Sequence, residues 1–175
     1  MKAIHGSGAP ATLDRWGDCP DAMSVNADWW NGCQRGDWLL WVAEVRGAPD
    51  AEIAAALEKI CALSEELCER LGRQQLKWDR NLLDALQNHT AWGDTSDHAA
   101  AHRLHAIADC NHSVACALHW LSHRGGGYPA LCAMHYHDAR LLGDFRFSRD
   151  EAEWLARAET AKIVRECITS VFPHQ

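Results

Sequence analysis

His98, His102, His105, Asp109, His112, Cys116, His119 and His123 follow one another at spacings of 4, 3, 4, 3, 4, 3 and 4 residues. At about 100° per residue, that spacing places all eight on one face of a single helix. A solvated helical face is ordinarily built from Glu, Lys, Arg and Gln, which favour helix more than His does. A row of imidazoles therefore asks for a reason, and three readings fit it. In the first, His98 and His102, with His105 one turn on, present two or three imidazoles to a metal. His135, His137 and Asp138 on the next predicted helix, or His89 before it, can complete such a shell. In the second, the stripe is a contact surface for another protein, since imidazole and Asp make directional hydrogen bonds at little desolvation cost. In the third, it is the polar side of a helix whose Leu104, Ile107, Val114, Leu118 and Leu121 lie opposite and make the core contact. The stripe runs far longer than one metal needs, and no H-E-x-x-H or E-x-x-H pattern accompanies it. No metal and no other cofactor is therefore favoured.

Catalytic signatures are missing. There is no G-x-S-x-G elbow, no Walker-type loop and no G-x-G-x-x-G after a strand. Gly125-Gly126-Gly127 follows a helix rather than a strand, so it reads as a helix stop, not a phosphate cradle. The eight cysteines form no C-x-x-C pair, which removes the usual zinc-ribbon and thioredoxin-like patterns. Cys61 and Cys68 are in phase with Leu57, Ile60, Leu67 and Leu71, the pattern of small buried thiols in a helical core. No catalytic residue is assigned, and the chain reads as a non-enzyme.

Charge and composition narrow the partners. Residues 1–100 hold 9 basic and 16 acidic side chains, whereas residues 101–175 hold 8 of each and eight of the eleven His. No basic patch invites nucleic acid, and an acidic half suits a basic protein partner by electrostatic steering. No apolar run approaches the ~18 residues of a membrane span. Met1 to Pro10 lacks the apolar core of a secretory signal, so a cytoplasmic location and unpaired thiols are expected.

The elements that must carry these residues are helices. Residues 1–25, rich in Gly, Pro, Ala and Asp, read as an irregular arm, and residues 26–175 as a single all-helical domain. A first stretch begins near Asn26 with Trp29 and Trp30, which are adjacent and cannot both face inward. One of them is expected half exposed, as a partner anchor. Asp37 is the expected cap of a second piece through Trp38, Leu39, Leu40 and Trp41. Asp50 caps a helix over Ala51 to Leu71 closed by Gly72, and another runs from Gln74 to Trp92 with Gly93 as its break. The His-striped helix then extends to Arg124. Pro129 opens the next helix, over Ala130 to Leu142. Ser148-Arg149-Asp150-Glu151 is a capping box for the last. No segment alternates with period two long enough to be a strand. The expected fold is a single all-α bundle of about six helices.

Arg35-Gly36-Asp37-Trp38-Leu39-Leu40-Trp41-Val42-Ala43 resembles the early helix of the all-helical immunity proteins encoded beside bacterial polymorphic toxins. Cys61 and Cys68-Glu69-Arg70, the Ala-rich segment from Ala99 to Trp120, and Ala161-Lys162-Ile163-Val164-Arg165-Glu166-Cys167-Ile168 extend the resemblance over about residues 28–170. This chain departs from that pattern in its many His, its fewer Ala in the long helix and its leader. The resemblance implies a cytoplasmic inhibitor that binds a cognate toxin domain without turnover, and it implies no catalytic residues. The residues expected at such an interface are Asp94, Asp97, His98, His102, His105, Asp109, His112, Trp29 and Trp30. A metal-binding bundle, with His98, His102, His105, His135 and His137 as candidate ligands, is the alternative reading. A phage-type inhibitor of host defence fits the same residues.

Overall fold

Six helices carry the described chain: α1 (Ala27–Gly32), α2 (Gly36–Val45), α3 (Asp50–Gln87), α4 (Thr95–His123), α5 (Tyr128–Gly143) and α6 (Arg149–Cys167). The computed structural model describes residues 20–87, 95–143 and 147–172, with residues 75–87 and 95–100 described by their backbone alone. Among the described residues there is no strand, so the fold is an all-α bundle. Several ends follow directly from local chemistry. Asn26 accepts from the Trp29 amide at 2.9 Å and starts α1. Ser148 and Glu151 form a reciprocal capping box that starts α6. Arg124, Gly125, Gly126 and Gly127 all take positive φ, which ends α4 and turns the chain into α5.

Two expected boundaries differ. Gly72 does not close a helix; α3 continues through it for a total of 38 residues. Gly72 does not take the positive φ of a helix cap, and a mid-helix Gly costs only about 1 kcal/mol, so the helix passes through it. Asp37 does not cap α2 either. Arg35 occupies the N-cap position without a side-chain cap bond, and Asp37 is drawn into the interior by an ion pair with Arg35. The expected break at Gly93 lies outside the described residues, as do residues 1–19 of the expected arm. The described end of that arm is held down, since Arg46 donates to the carbonyl of Ala22 at 2.8 Å and to that of Val25.

The His-striped helix, expected as a central or flanking pillar, takes the flanking place, and the centre belongs to α5, which packs against α2, α3, α4 and α6. Its inward residues are mostly small (Ala130, Cys132, Ala133, Ala139, Gly143), which lets its neighbours approach closely. A Cβ at Gly143 would already meet Leu71 and Ala106. The Trp-Leu-Leu-Trp helix α2 supplies Leu39, Leu40, Trp41 and Val42 to the core. Two polar ties lock the layers. Glu44 accepts from Trp120 Nε1 and from the Gly127 amide, both at 3.1 Å, fixing the α4–α5 corner to α2. The Ser113 hydroxyl donates to the Cys132 carbonyl at 2.8 Å and lies 3.0 Å from Ser64 Oγ, joining α3, α4 and α5.

The last turn of α6 and residues 168–170 reach back to the end of α1 and to α3. Val164 and Ile168 are buried, and Arg165 donates to the Cys33 carbonyl. Glu52 accepts from the Thr169 and Ser170 amides and the Ser170 hydroxyl. Most of residues 36–43, and Ala161, Val164 and Ile168 of the later segment, are thus packing residues.

Candidate functional site

α4 is rotated about its axis relative to expectation. Its buried side is Ala106, Cys110, Ser113, Ala117 and Trp120, again a 4-3-4-3 series but one set between the imidazole stripe and the leucines. The leucines do not supply the core contact: Leu104, Leu118 and Leu121 are 54%, 59% and 50% exposed. Small side chains win the buried position because α4 must fit against both α3 and α5, and a residue such as Ala or Ser permits close approach of the backbones.

That rotation brings the middle of the stripe against α5. Asp109 and His112 are one turn apart on α4, and His135 of α5 faces them. His135 Nδ1 lies 3.3 Å from Asp109 Oδ1, and the His112 and His135 rings are 5.2 Å apart between centroids. One donor atom from each of the three falls within 4.8 Å of the other two, the only such trio among the described residues. Asp109 and His135 are half-buried, while His112 is exposed. Asp109 and His135 also open into a groove of about 690 Å³ between α4, α5 and α6, walled by Met134, Leu141 and Leu142 and edged by Asp138, Arg149 and Glu153.

The other expected site residues go elsewhere. His102 is half-buried and His105 exposed on α4, and neither joins the trio. His119 stacks on Tyr128 with centroids 4.2 Å apart and also touches His123. Asp94 and His89 lie outside the described residues, and so do the side chains of Asp97 and His98. Trp30 is buried against Phe172 and is unavailable as a surface anchor; Trp29 is the partly exposed member of the pair. The seven described cysteines are free thiols, none in a disulfide.

His137 does not complete a metal shell with the stripe. Two residues beyond His135, it points to the opposite side of α5, where it is buried between α2 and α6. There its Nε2 lies 2.7 Å from Thr160 Oγ1. The Thr160 hydroxyl can donate its hydrogen to the carbonyls of Ala156 and Arg157, which leaves it accepting from an Nε2–H tautomer of the imidazole. Burial pushes the imidazole down to about 4, against the pull of Asp37, so His137 is a neutral hydrogen-bonding group. Burial alone raises the carboxyl of Asp37, but the two-point bond from Arg35 outweighs it and holds the group below the ordinary aspartate value. This Arg35–Asp37 and His137–Thr160 pairing is missed by motif reading. Its signal was Gly36 itself: a Cβ there would strike Thr160, so only Gly lets α2 lie this close to α6.

A third feature is the leucine flank of α4. Leu104, Leu118 and Leu121 are exposed, with Ile107 and Val114 half-buried between them. Across the α3–α4 groove, which encloses about 230 Å³ beside Val114 and Asn111, stand Glu65 and Glu69.

The fold and these features define an all-α bundle carrying a histidine–carboxylate cluster and an apolar flank edged with acids. No protein family, curated protein or solved structure matches the chain. No helix among the described residues is long and apolar enough to cross a membrane.

Proposed function

We propose that this chain is an inhibitor of the immunity type, acting in the cytoplasm by binding a toxin domain stoichiometrically. The observation that carries the reading is the α4 flank. From Leu104 to Leu121 it runs about 26 Å at 1.5 Å per residue. Its leucines need a cover that the described chain does not supply, and unsatisfied apolar surface of this kind marks interaction sites. Its neighbours select the occupant. Glu65 beside it, with Glu58 also exposed on α3 and Glu69 shared with Arg73 in solvent, complements a basic protein domain with a small apolar patch. The resemblance to immunity proteins, the acidic first hundred residues and the missing catalytic motifs support the same reading. A strip of this length covers roughly a third of one side of a standard interface, so flanking polar residues complete it.

The test screens the genes beside this one for a domain that is toxic when expressed alone. Co-expression is expected to give a one-to-one complex and to restore growth. Leu118→Glu and the pair Glu65→Lys with Glu69→Lys are expected to weaken binding at least tenfold with an unchanged melting temperature, since these side chains stand mostly in solvent. Association with the parent is expected to slow as salt rises. Full protection by both variants would move the interface off α4, and no complex with the adjacent toxin would overturn the inhibitor reading.

A further inference from the structure

We infer that Asp109, His112 and His135 bind one late first-row divalent cation, Zn²⁺ foremost, at the α4–α5 seam. The inference is independent of the inhibitor reading. Two imidazoles and one carboxylate from two helices form a three-ligand set of the kind that Zn²⁺ sites use when the fourth position is left for water or another ligand. Imidazole selects Zn²⁺, Ni²⁺ or Co²⁺ over Mg²⁺ and Ca²⁺, which need more oxygen donors.

The distances fit such an ion. At metal–ligand bonds of about 2.0–2.1 Å, neighbouring donors of a tetrahedron stand about 3.3 Å apart. His135 Nδ1 and Asp109 Oδ1 are already separated by 3.3 Å. The widest separation in the trio is within 4.8 Å, so closing the set needs a shift of about 1.5 Å at donor atoms reached by side-chain rotation. His112 is the exposed ligand and therefore the one free to make that adjustment.

The scaffold holds the other two ligands in place. Ala106, Cys110 and Ser113 of α4 and Cys132, Ala133 and Tyr136 of α5 are buried around the seam. Beyond the trio, the groove presents Asp138 and Glu153 against Arg149. Glu153 is paired with Arg157, so the carboxylate that favours a cation is that of Asp109, within the trio itself. The groove also leaves room for a water or a small ligand at the fourth position. The rest of the stripe cannot form an equivalent centre with its described residues, because no second trio of donors converges.

The test uses the full chain purified without a polyhistidine tag, stripped with a chelator and then titrated with Co²⁺ and with Zn²⁺. One equivalent of Co²⁺ is expected to bind and give the visible ligand-field absorption of a four- or five-coordinate site, with Zn²⁺ displacing it. His135→Asn with His112→Asn is expected to weaken Zn²⁺ binding at least a hundredfold, since loss of an outer-sphere partner alone costs 10–100-fold. The control is His119→Asn with His123→Asn, an exposed pair four residues apart on the same helix. It is expected to leave the tight site intact. Because His112 is exposed, His112→Asn alone keeps the test valid if the double variant folds poorly, and it is expected to weaken binding at least tenfold. Binding that survives in His112→Asn, disappears in the His119/His123 variant, or never reaches one equivalent overturns the assignment. Toxin neutralisation by His112→Asn is measured separately, so loss of metal and loss of inhibition are told apart.

Discussion

Gly36 begins α2 where that helix lies against α6, and replacing it with Ala pushes a methyl group into occupied space. The added Cβ would lie 2.5 Å from Thr160 Cβ and 2.7 Å from the Thr160 carbonyl carbon, with Thr160 Oγ1 also in the way. Ordinary contact between such carbons begins near 3.5 Å, so the two helices must part by close to 1 Å. Overpacking of this sort costs about 1–3 kcal/mol. The same movement stretches the 2.7 Å bond between His137 and Thr160, and a buried pair so separated loses about another 1–3 kcal/mol. The helix propensity of Ala returns less than about 1 kcal/mol. The net expectation for Gly36→Ala is a loss of about 1–6 kcal/mol, read by urea denaturation at fixed pH. Trimming Thr160 to Ala in the same chain should not restore it, because the backbone carbonyl carbon stays where it was. Gly72→Ala is the internal contrast. Nothing lies within 4 Å of its added Cβ, and the residue sits inside α3, so it should gain about 0.5–1 kcal/mol. A Gly36→Ala protein within about 0.5 kcal/mol of the parent, or a Gly72→Ala protein destabilised to the same extent, would refute the close-approach argument.

Glu44→Ala strands the Trp120 indole N–H and the Gly127 amide that its carboxylate serves, and should cost about 2–4 kcal/mol in the same urea assay. Glu44→Gln keeps one acceptor oxygen and should cost roughly half as much; equal losses would mean that the carboxylate does not serve both donors. His137 predicts an acid-sensitive window in chelator-treated protein. Its folded value of about 4 lies below the ordinary 6.5, so the unfolded chain takes up a proton that the folded chain refuses. Stability should therefore fall by about 3 kcal/mol as pH drops from 6.5 to 4. His137→Gln should flatten that window, whereas loss of the Asp37 contribution, whose folded pKa is depressed, should persist through the carboxylate range below it. An unchanged slope in His137→Gln would place the titration elsewhere.

Local sequence was enough for the fold class and for several element ends, because these depend on neighbours in the chain. The run Gly125-Gly126-Gly127 ends α4 through backbone conformations that other residues resist. Ser148 and Glu151 cap α6 with atoms three residues apart. The 4-3 spacing also assigned Asp109 and His112 to one face of one helix. Sequence did not show what that face meets. Periodicity reports which residues share a side, and on α4 three sides carry plausible series: imidazoles, leucines and small residues. Only packing between α3 and α5 decided that the small residues go inward and the leucines stay in solvent. Gly72 looked like a helix end because its local cost is real. The backbone of Gly72 nevertheless stays helical rather than taking the positive φ of a cap, and whether so small a cost ends a helix is decided by the assembled bundle. The same holds for the two α5 histidines. Their separation by two residues sends them to opposite sides of the helix, but nothing in the chain order says that one side holds Asp109 and His112 and the other holds Asp37 and Thr160. Those meetings are made by residues 23 to 100 positions apart, and only the assembled bundle brings them within reach.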